Sequence, residues 1–187
     1  MKVLGIPKGK IYLSLSGGID SMVLAHFLIN GKKDFSVIHF DHRTKYGERA
    51  RIFVNRFCLE QNIQCKVYDY LEENGTEFGW SEWRRNVLVG LSHPVLTAHH
   101  KDDSLESLLM RGNPILYQCM NIYRPLLAAS KQEIRYYASN NGVKYVEDPT
   151  NSDPESGLRN KIRNELIPLM RECKINPYRF LENFCAY

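Results

Sequence analysis

The sequence predicts an α/β protein built on an open, twisted parallel sheet flanked by helices. Short apolar runs alternate with segments of helical period, the pattern of strands joined by helical crossovers. A Ser-Gly-Gly turn links the first run to the first helical segment. Acids, histidines and hydroxyls recur just past the ends of predicted strands, the edge at which open α/β sheets collect ligands.

The elements follow in order. Ile11 to Leu15 is a first strand; Leu24, Phe27 and Leu28 then give a helix its apolar stripe. Phe35 to Phe40 is a second strand ending in Asp41-His42. A helix from about Glu48 to Gln61 has Ile52, Val54, Phe57 and Cys58 as apolar positions, and Gln64 to Tyr68 is a third strand. Residues 71–79 read as a loop, Trp80 to Leu91 as a helix and Pro94 to Ala98 as a fourth strand. His99-His100-Lys101-Asp102-Asp103 opens the next helix. Ile122 to Leu127 is a last, edge strand, because Pro125 cannot donate to a central ladder. Ser130-Lys131-Gln132-Glu133 is a capping box for a helix carrying Ile134, Tyr137 and Ala138. Glu147 to Asp153 is a loop. A final helix from about Leu158 has Ile162, Leu166 and Leu169 as its inner face.

At 187 residues, with 43% hydrophobic and 25% charged, the chain suits one domain and excludes a disordered or collagen-like polymer. The domain core is expected at about residues 10–170, with a short tail at 171–187. No apolar run reaches the ~18 residues of a membrane-spanning helix. The first eight residues are too short in apolar length for a signal peptide, so the expected setting is the cytoplasm. Five scattered cysteines without a Cys-x-x-Cys pair suggest reduced, packed thiols. A net charge of +4 permits an RNA or nucleotide partner without requiring one.

Two segments carry chemistry. Ser16-Gly17-Gly18-Ile19-Asp20-Ser21 lies between a strand and a helix, where glycines let successive N–H groups converge on phosphate oxygens. The helix dipole points at the same place. The glycines alone could equally tighten the turn, but a packed turn has no need of an acid and two hydroxyls. His99 to Glu106 brings Asp102, Asp103 and Glu106 onto one helical face by three- and four-residue spacing. Such a trio suits Mg²⁺, a hard ion that combines carboxylates with substrate phosphates. Asp103-Ser104-Leu105-Glu106 also reads as an N-terminal cap box. Zinc is disfavoured because the adjacent histidines diverge and no cysteine lies near them.

These segments resemble known ones. Ser16–Ser21 matches the S-G-G-x-D-S loop of the PP-loop ATPases, whose fold is Rossmann-like. Together with four further segments it resembles the tRNA(Ile)-lysidine synthetase family. The four are Phe40-Asp41-His42 with Glu48; His99 to Ser107 with Arg111-Gly112; Arg124-Pro125-Leu126-Leu127; and Glu147 to Asp153 with Arg159-Asn160-Lys161-Ile162-Arg163 and Pro168. The chain departs from the family at Ser104, Ser107 and Arg43-Thr44-Lys45.

The resemblance implies an ATP- and Mg²⁺-dependent ligase that converts the wobble cytidine of the CAU anticodon of tRNA(Ile) to lysidine. The cytidine 2-carbonyl is adenylated, and free L-lysine then displaces AMP. It implies Ser16, Gly17, Gly18, Ile19, Asp20, Ser21, Asp41, His42 and His99 around the nucleotide, and Asp20, Asp103 and Glu106 on the metal. Asp20, Asp103 and Arg159 become catalytic, with Asn160, Arg163, Arg124 and Arg111 toward substrate or RNA. Without the family pattern, Arg159 and Arg163 would read as a solvated face opposite Leu158, Ile162 and Leu166. Trp80, Trp83, Arg84 and Arg85 fit either RNA stacking or packing, and the tail from Tyr178 invites the same two readings. The sequence stops near the end of the family's catalytic domain, so weak RNA binding is expected, and a homodimer or partner could supply further tRNA surface. The rivals are a tRNA-thiolating relative, a small-molecule amidating ligase and a nucleotide-binding module without turnover.

Overall fold

The computed structural model describes residues 1–70, 77–147 and 157–182. Six strands form one sheet: β1 (Ile11–Ser14), β2 (Phe35–Asp41), β3 (Cys65–Asp69), β4 (Val95–Leu96), β5 (Gln118–Cys119) and β6 (Ile122–Tyr123). The order is β3-β2-β1-β4-β6-β5, parallel except for the β5–β6 hairpin. Helices α1 (Ile19–Asn30), α2 (Lys45–Glu60), α3 (Glu77–Val89), α4 (Lys101–Arg111) and α5 (Lys131–Asn140) flank it. A final helical run comprises α6 (Leu158–Lys161), a π-helical turn (Ile162–Leu166) and α7 (Ile167–Glu172). The short α8 (Arg179–Glu182) follows.

The predicted α/β sheet is therefore present. From β1 the chain steps outward to β2 and β3, then returns to place β4 on the other side of β1. That reversal leaves a crevice between the carboxyl tips of β1 and β4, where the crossover helices diverge. In-phase Ile11, Leu13 and Leu15 are fully buried, and all of β2 is buried, as a central parallel strand requires. Helix α1 is wedged more deeply than its predicted stripe implied. Met22, Val23, Leu24 and Ala25 are buried in succession, and Phe27 stacks on Tyr137 of α5 at 4.6 Å.

Three expectations are corrected. β6 is not the sheet edge; β5 covers it through a two-residue turn with Met120 at φ +55°. Ile52 does not pack inward but is 63% exposed, while Val54 and Cys58 of the same helix are buried. In the last helical run the inner residues are Ile162 and Ile167, and Leu158, Leu166 and Leu169 are exposed. The π turn causes the last change, because one extra residue per turn moves the inward position from i+4 to i+5. Ile162 and Ile167 pack with Leu105 of α4 and with Leu181 and Tyr178 of the tail. The described part of the tail thus packs against the body of the domain. No described helix is long and apolar enough to cross a membrane.

Candidate active site at the β1–β4 crevice

The loop after β1 is shaped by its own hydroxyls. Ser21 Oγ donates to the Gly18 carbonyl at 2.9 Å and lies 3.1 Å from Ser16 Oγ, while Gly18 N–H donates to Ser16 Oγ at 3.3 Å. Gly17 has φ +86°, and a Cβ there would meet Val54 Cγ2 at 3.3 Å. The position therefore calls for glycine on both backbone and packing grounds. Gly18 has ordinary extended dihedrals and serves as the N-cap of α1, yet no side chain caps that helix. Backbone donors of the first turn, Ile19 to Ser21, are thus left for an anion at the positive end of the dipole.

Across the crevice, α4 begins with a box built by His100. Asp103 N–H donates to His100 Nδ1 at 3.4 Å, and His100 N–H donates to Asp103 Oδ2 at 2.9 Å. The cap is one turn earlier than the predicted box at Asp103. With Nδ1 accepting, the ring proton of buried His100 lies on Nε2. That nitrogen is 3.7 Å from Asp20 Oδ1 and 3.5 Å from Asp103 Oδ2. The two strand tips accordingly bring Asp20 and Asp103 to either side of one imidazole edge. Burial raises the Asp103 pKa, but His100, His99, Arg159 and the His100 N–H outweigh it and hold the carboxyl well below its usual range. His99 hydrogen-bonds to Thr97 Oγ1 at 3.0 Å, and burial lowers its pKa to about 4 despite Asp103.

Asp20 has a partner that the sequence reading overlooked. Lys131 Nζ donates to both Asp20 oxygens at 2.7 Å. Its backbone N–H donates to Asp102 Oδ2 at 2.7 Å, and Tyr178 Oη donates to Asp102 Oδ1 at 2.9 Å. Asp102 therefore ties α4 to α5 and to the tail. Lys101 Nζ lies 4.4 Å above the Tyr178 ring. A lysine at the first position of α5, where the dipole disfavours a cation, was the available signal.

Glu106 is wholly buried and faces arginines. Arg159 Nε donates to Oε2 at 2.6 Å, Arg163 Nε to Oε1 at 2.7 Å and Arg163 Nη2 to Oε2 at 2.9 Å. Arg159 Nη2 also reaches Asp103 Oδ1 at 2.9 Å. Arg159 and Arg163 thus do not sit opposite the buried side of their helix; they turn inward to the acids. Burial lowers the Arg163 pKa, but the Glu106 bond and charge outweigh it, so the net shift is upward. Of the expected metal trio, Asp20 is bonded to Lys131, Asp103 to His100 and Arg159, and Glu106 to both arginines, so the three do not share one cluster. Among the described residues no three His, Cys, Asp or Glu side chains converge as a metal centre.

At the tip of β2, Asp41 is buried: Oδ1 accepts from Arg43 N–H at 2.8 Å and Oδ2 from Arg51 at 3.3 Å. His42 stacks on Trp80 at 4.8 Å, and its pKa is lowered to about 4 by burial and by Arg84. Trp83 packs between Phe40 and Tyr70, each at 5.1 Å, so it serves the packing reading. Arg124 Nη1 holds the Leu116 carbonyl at 2.8 Å, and its charge acts on His99. Asn160 lies half-buried in α6 beside the arginine pair. Arg111 is not brought to the site; it ends α4 roughly 12 Å along the helix axis from Asp103. Glu147 is exposed, and Asp148 to Asp153 lie outside the described residues.

Comparison with known proteins supplies the family. Residues 3–170 match the PP-loop domain family. A tRNA(Ile)-lysidine synthase of Thermotoga sp. (strain RQ2) is 33% identical over 193 residues, covering 89% of this chain and 46% of the relative. One from Staphylococcus aureus (strain N315) is 32% identical, covering 87% of this chain and 44% of the relative. The chain thus spans less than half the length of these curated relatives. An NH3-dependent NAD synthetase from Campylobacter jejuni shares the fold at TM-score 0.55 and 17% identity, covering 93% of this chain and 82% of that one. A predicted tRNA methyltransferase subunit from Methanocaldococcus jannaschii does so at 0.52 and 14%, covering 91% and 90%. With a family match over nearly its whole length and the glycine loop open at a sheet switch point, the chain belongs to the PP-loop family.

Proposed function

We propose that this chain is the ATP-using catalytic domain of a ligase that converts the wobble cytidine of tRNA(Ile) with a CAU anticodon to lysidine. The observation that carries the reading is the uncapped first turn of α1, which carries Asp20, set beside Asp103 and the Arg159–Arg163 pair in one crevice. In the first step the cytidine 2-carbonyl oxygen attacks the α-phosphorus, and the bond to pyrophosphate breaks. In the second, the amine of free L-lysine attacks the activated ring carbon, and AMP leaves with the bonding pair of the C–O bond. Backbone N–H groups of Ile19 to Ser21 bind the β- and γ-phosphates, where they stabilise departing charge without reorganising. Arg159 and Arg163, held in place by Glu106, present guanidinium groups toward the α-phosphate and the cytidine. The β2 tip, with Asp41, His42 and the Trp80 ring, lines the adenosine side of the crevice. His99 supports the floor at β4.

Mg²⁺ fits part of the predicted ligand set. Asp20 and Asp103 offer hard oxygens on either side of His100 Nε2, and one or two carboxylates plus phosphates are what this ion takes. It would supply neutralisation of the leaving pyrophosphate. Glu106 fits less well as a third ligand, since it is wholly buried and three guanidinium bonds already converge on its two oxygens. The thiolation reading has little support among the described residues. Cys65 pairs with Val37 toward the start of the parallel β2, Cys119 with Ile122 at the start of the antiparallel β6, Cys58 is buried in the core, and Cys173 ends α7.

Incubation with ATP, Mg²⁺, labelled lysine and tRNA tests the proposal. Label enters tRNA(Ile) bearing CAU and disappears in Asp20→Ala and Asp103→Ala. No incorporation into any such tRNA refutes it. A homodimer or partner supplying tRNA surface, and a cytoplasmic setting, belong to the same proposal. Weak, salt-sensitive RNA binding by the monomer is the expected titration result.

A further inference from the structure

Among the described side chains of α5, Lys131 reaches the nucleotide crevice by its bond to Asp20, and it does so from a position helices disfavour for cations. Its backbone is fixed by Asp102, and α5 is itself fixed to α1 by stacking of Tyr137 on Phe27 at 4.6 Å. The ammonium group is therefore delivered to Asp20 by a rigid route. Asp20 belongs to the first turn of α1, whose backbone donors point at the same space. Lys131 Nζ contacts both oxygens of a carboxylate that, on the proposed function, must also face a divalent ion and a triphosphate. A divalent ion on Asp20 draws on the same negative charge and weakens its hold on the ammonium. The ammonium can then turn to the phosphates held by the loop beside it.

We propose that Lys131 is a phosphate-binding residue of this site. Asp20 holds its ammonium when nucleotide is absent, and the β- or γ-phosphate takes it over when nucleotide is bound. The proposal rests on the ATP reading above. Asp20 is then a competitor of the phosphates for Lys131 as well as a metal ligand, and this gives a prediction of unusual sign.

The test is equilibrium dialysis of labelled ATP against the full chain, in EDTA and in excess Mg²⁺, with melting curves to check folding. Lys131→Met weakens ATP binding roughly tenfold or more under both conditions, and Lys131→Arg restores most of it. Asp20→Asn tightens ATP binding in EDTA, because the ammonium is released to the phosphates, and that gain vanishes in the Asp20→Asn/Lys131→Met double variant. A misfolded variant cannot produce the gain. Unchanged ATP affinity in Lys131→Met, with only a lower Mg²⁺ requirement, makes Lys131 a counter-ion of Asp20 alone and overturns the proposal. Binding lost in EDTA for Asp20→Asn does the same. If the unaltered protein binds ATP in neither condition, the ATP reading falls and takes this one with it.

Discussion

Replacing Glu106 with glutamine tests the charge cluster that organises the crevice. The substitution keeps the shape and removes one negative charge from a fully buried position. Three guanidinium bonds of 2.6, 2.7 and 2.9 Å then end on an amide, whose NH2 must face N–H donors of the same sign. Breaking a buried ion pair from one side costs about 3–5 kcal/mol. The arginine side chains are 38% and 30% exposed, so water recovers part of that, and a loss of about 2–3 kcal/mol is expected. For a domain of this size, that lowers the melting midpoint by roughly 4–12 °C. Urea denaturation at pH 7 measures the change, with the slope m unaltered if the loss is in the native state. A shift below about 1 kcal/mol would show that the arginines do not depend on Glu106 and would remove the reason for their inward turn.

Gly17→Ala forces an L side chain to φ +86° against Val54 and should cost about 1–2 kcal/mol, whereas Gly18→Ala should leave the urea midpoint nearly unchanged; equal effects would contradict the loop geometry. Ser130→Ala removes the cap that accepts from Glu133 N–H at 3.2 Å and should cost about 1 kcal/mol in the same assay, with a neutral result counting against the box. His42 and His99 both have pKa values lowered to about 4 from 6.5, so the folded chain binds fewer protons than the unfolded one between those values. Their contribution is complete above pH 6.5 and is lost as pH falls toward 4. On the order of 1–2 kcal/mol in total is expected after allowing for solvent access, and His42→Gln should flatten the profile. A pH-independent midpoint across that window would refute the burial assigned to these rings.

The strands and the crevice were legible because their signals are local. Apolar runs ending in Ser-Gly-Gly and in His-His-Lys-Asp-Asp mark two tips, and right-handed crossovers bring such tips to one sheet edge. β5 was not legible: it is two residues long, and its turn uses Met120 at φ +55°, where sequence rules look for glycine or asparagine. The inward turn of Arg159 and Arg163 was hidden for another reason. Helical spacing was counted at 3.6 residues per turn, and the π turn breaks that count between Ile162 and Leu166. Lys131 was passed over because its neighbours Ser130 and Glu133 already explained the segment as a cap. Its bond to Asp20 spans 111 positions, beyond any local pattern. Glu106 was drawn to a metal by its spacing from Asp103, and no spacing rule announces two arginines arriving from more than 50 residues away.

The wide turn at Ile162–Leu166 makes the closing helix a gear with one surplus tooth. Upstream of it, the coil is phased so that Arg159 meshes with α4; downstream, Ile167 is phased to fill the gap beside Leu105. Excising a single residue there, such as Asn164, would restore an ordinary coil in which Ile162 and Ile167 stand four apart and keep their shared inner face. The same excision in the ordinary coil on either side would turn one half against the other by about 100°, and either the guanidinium or the aliphatic anchor would lose its socket. The wide turn is thus the place in this stretch where the loss of one residue should be best tolerated.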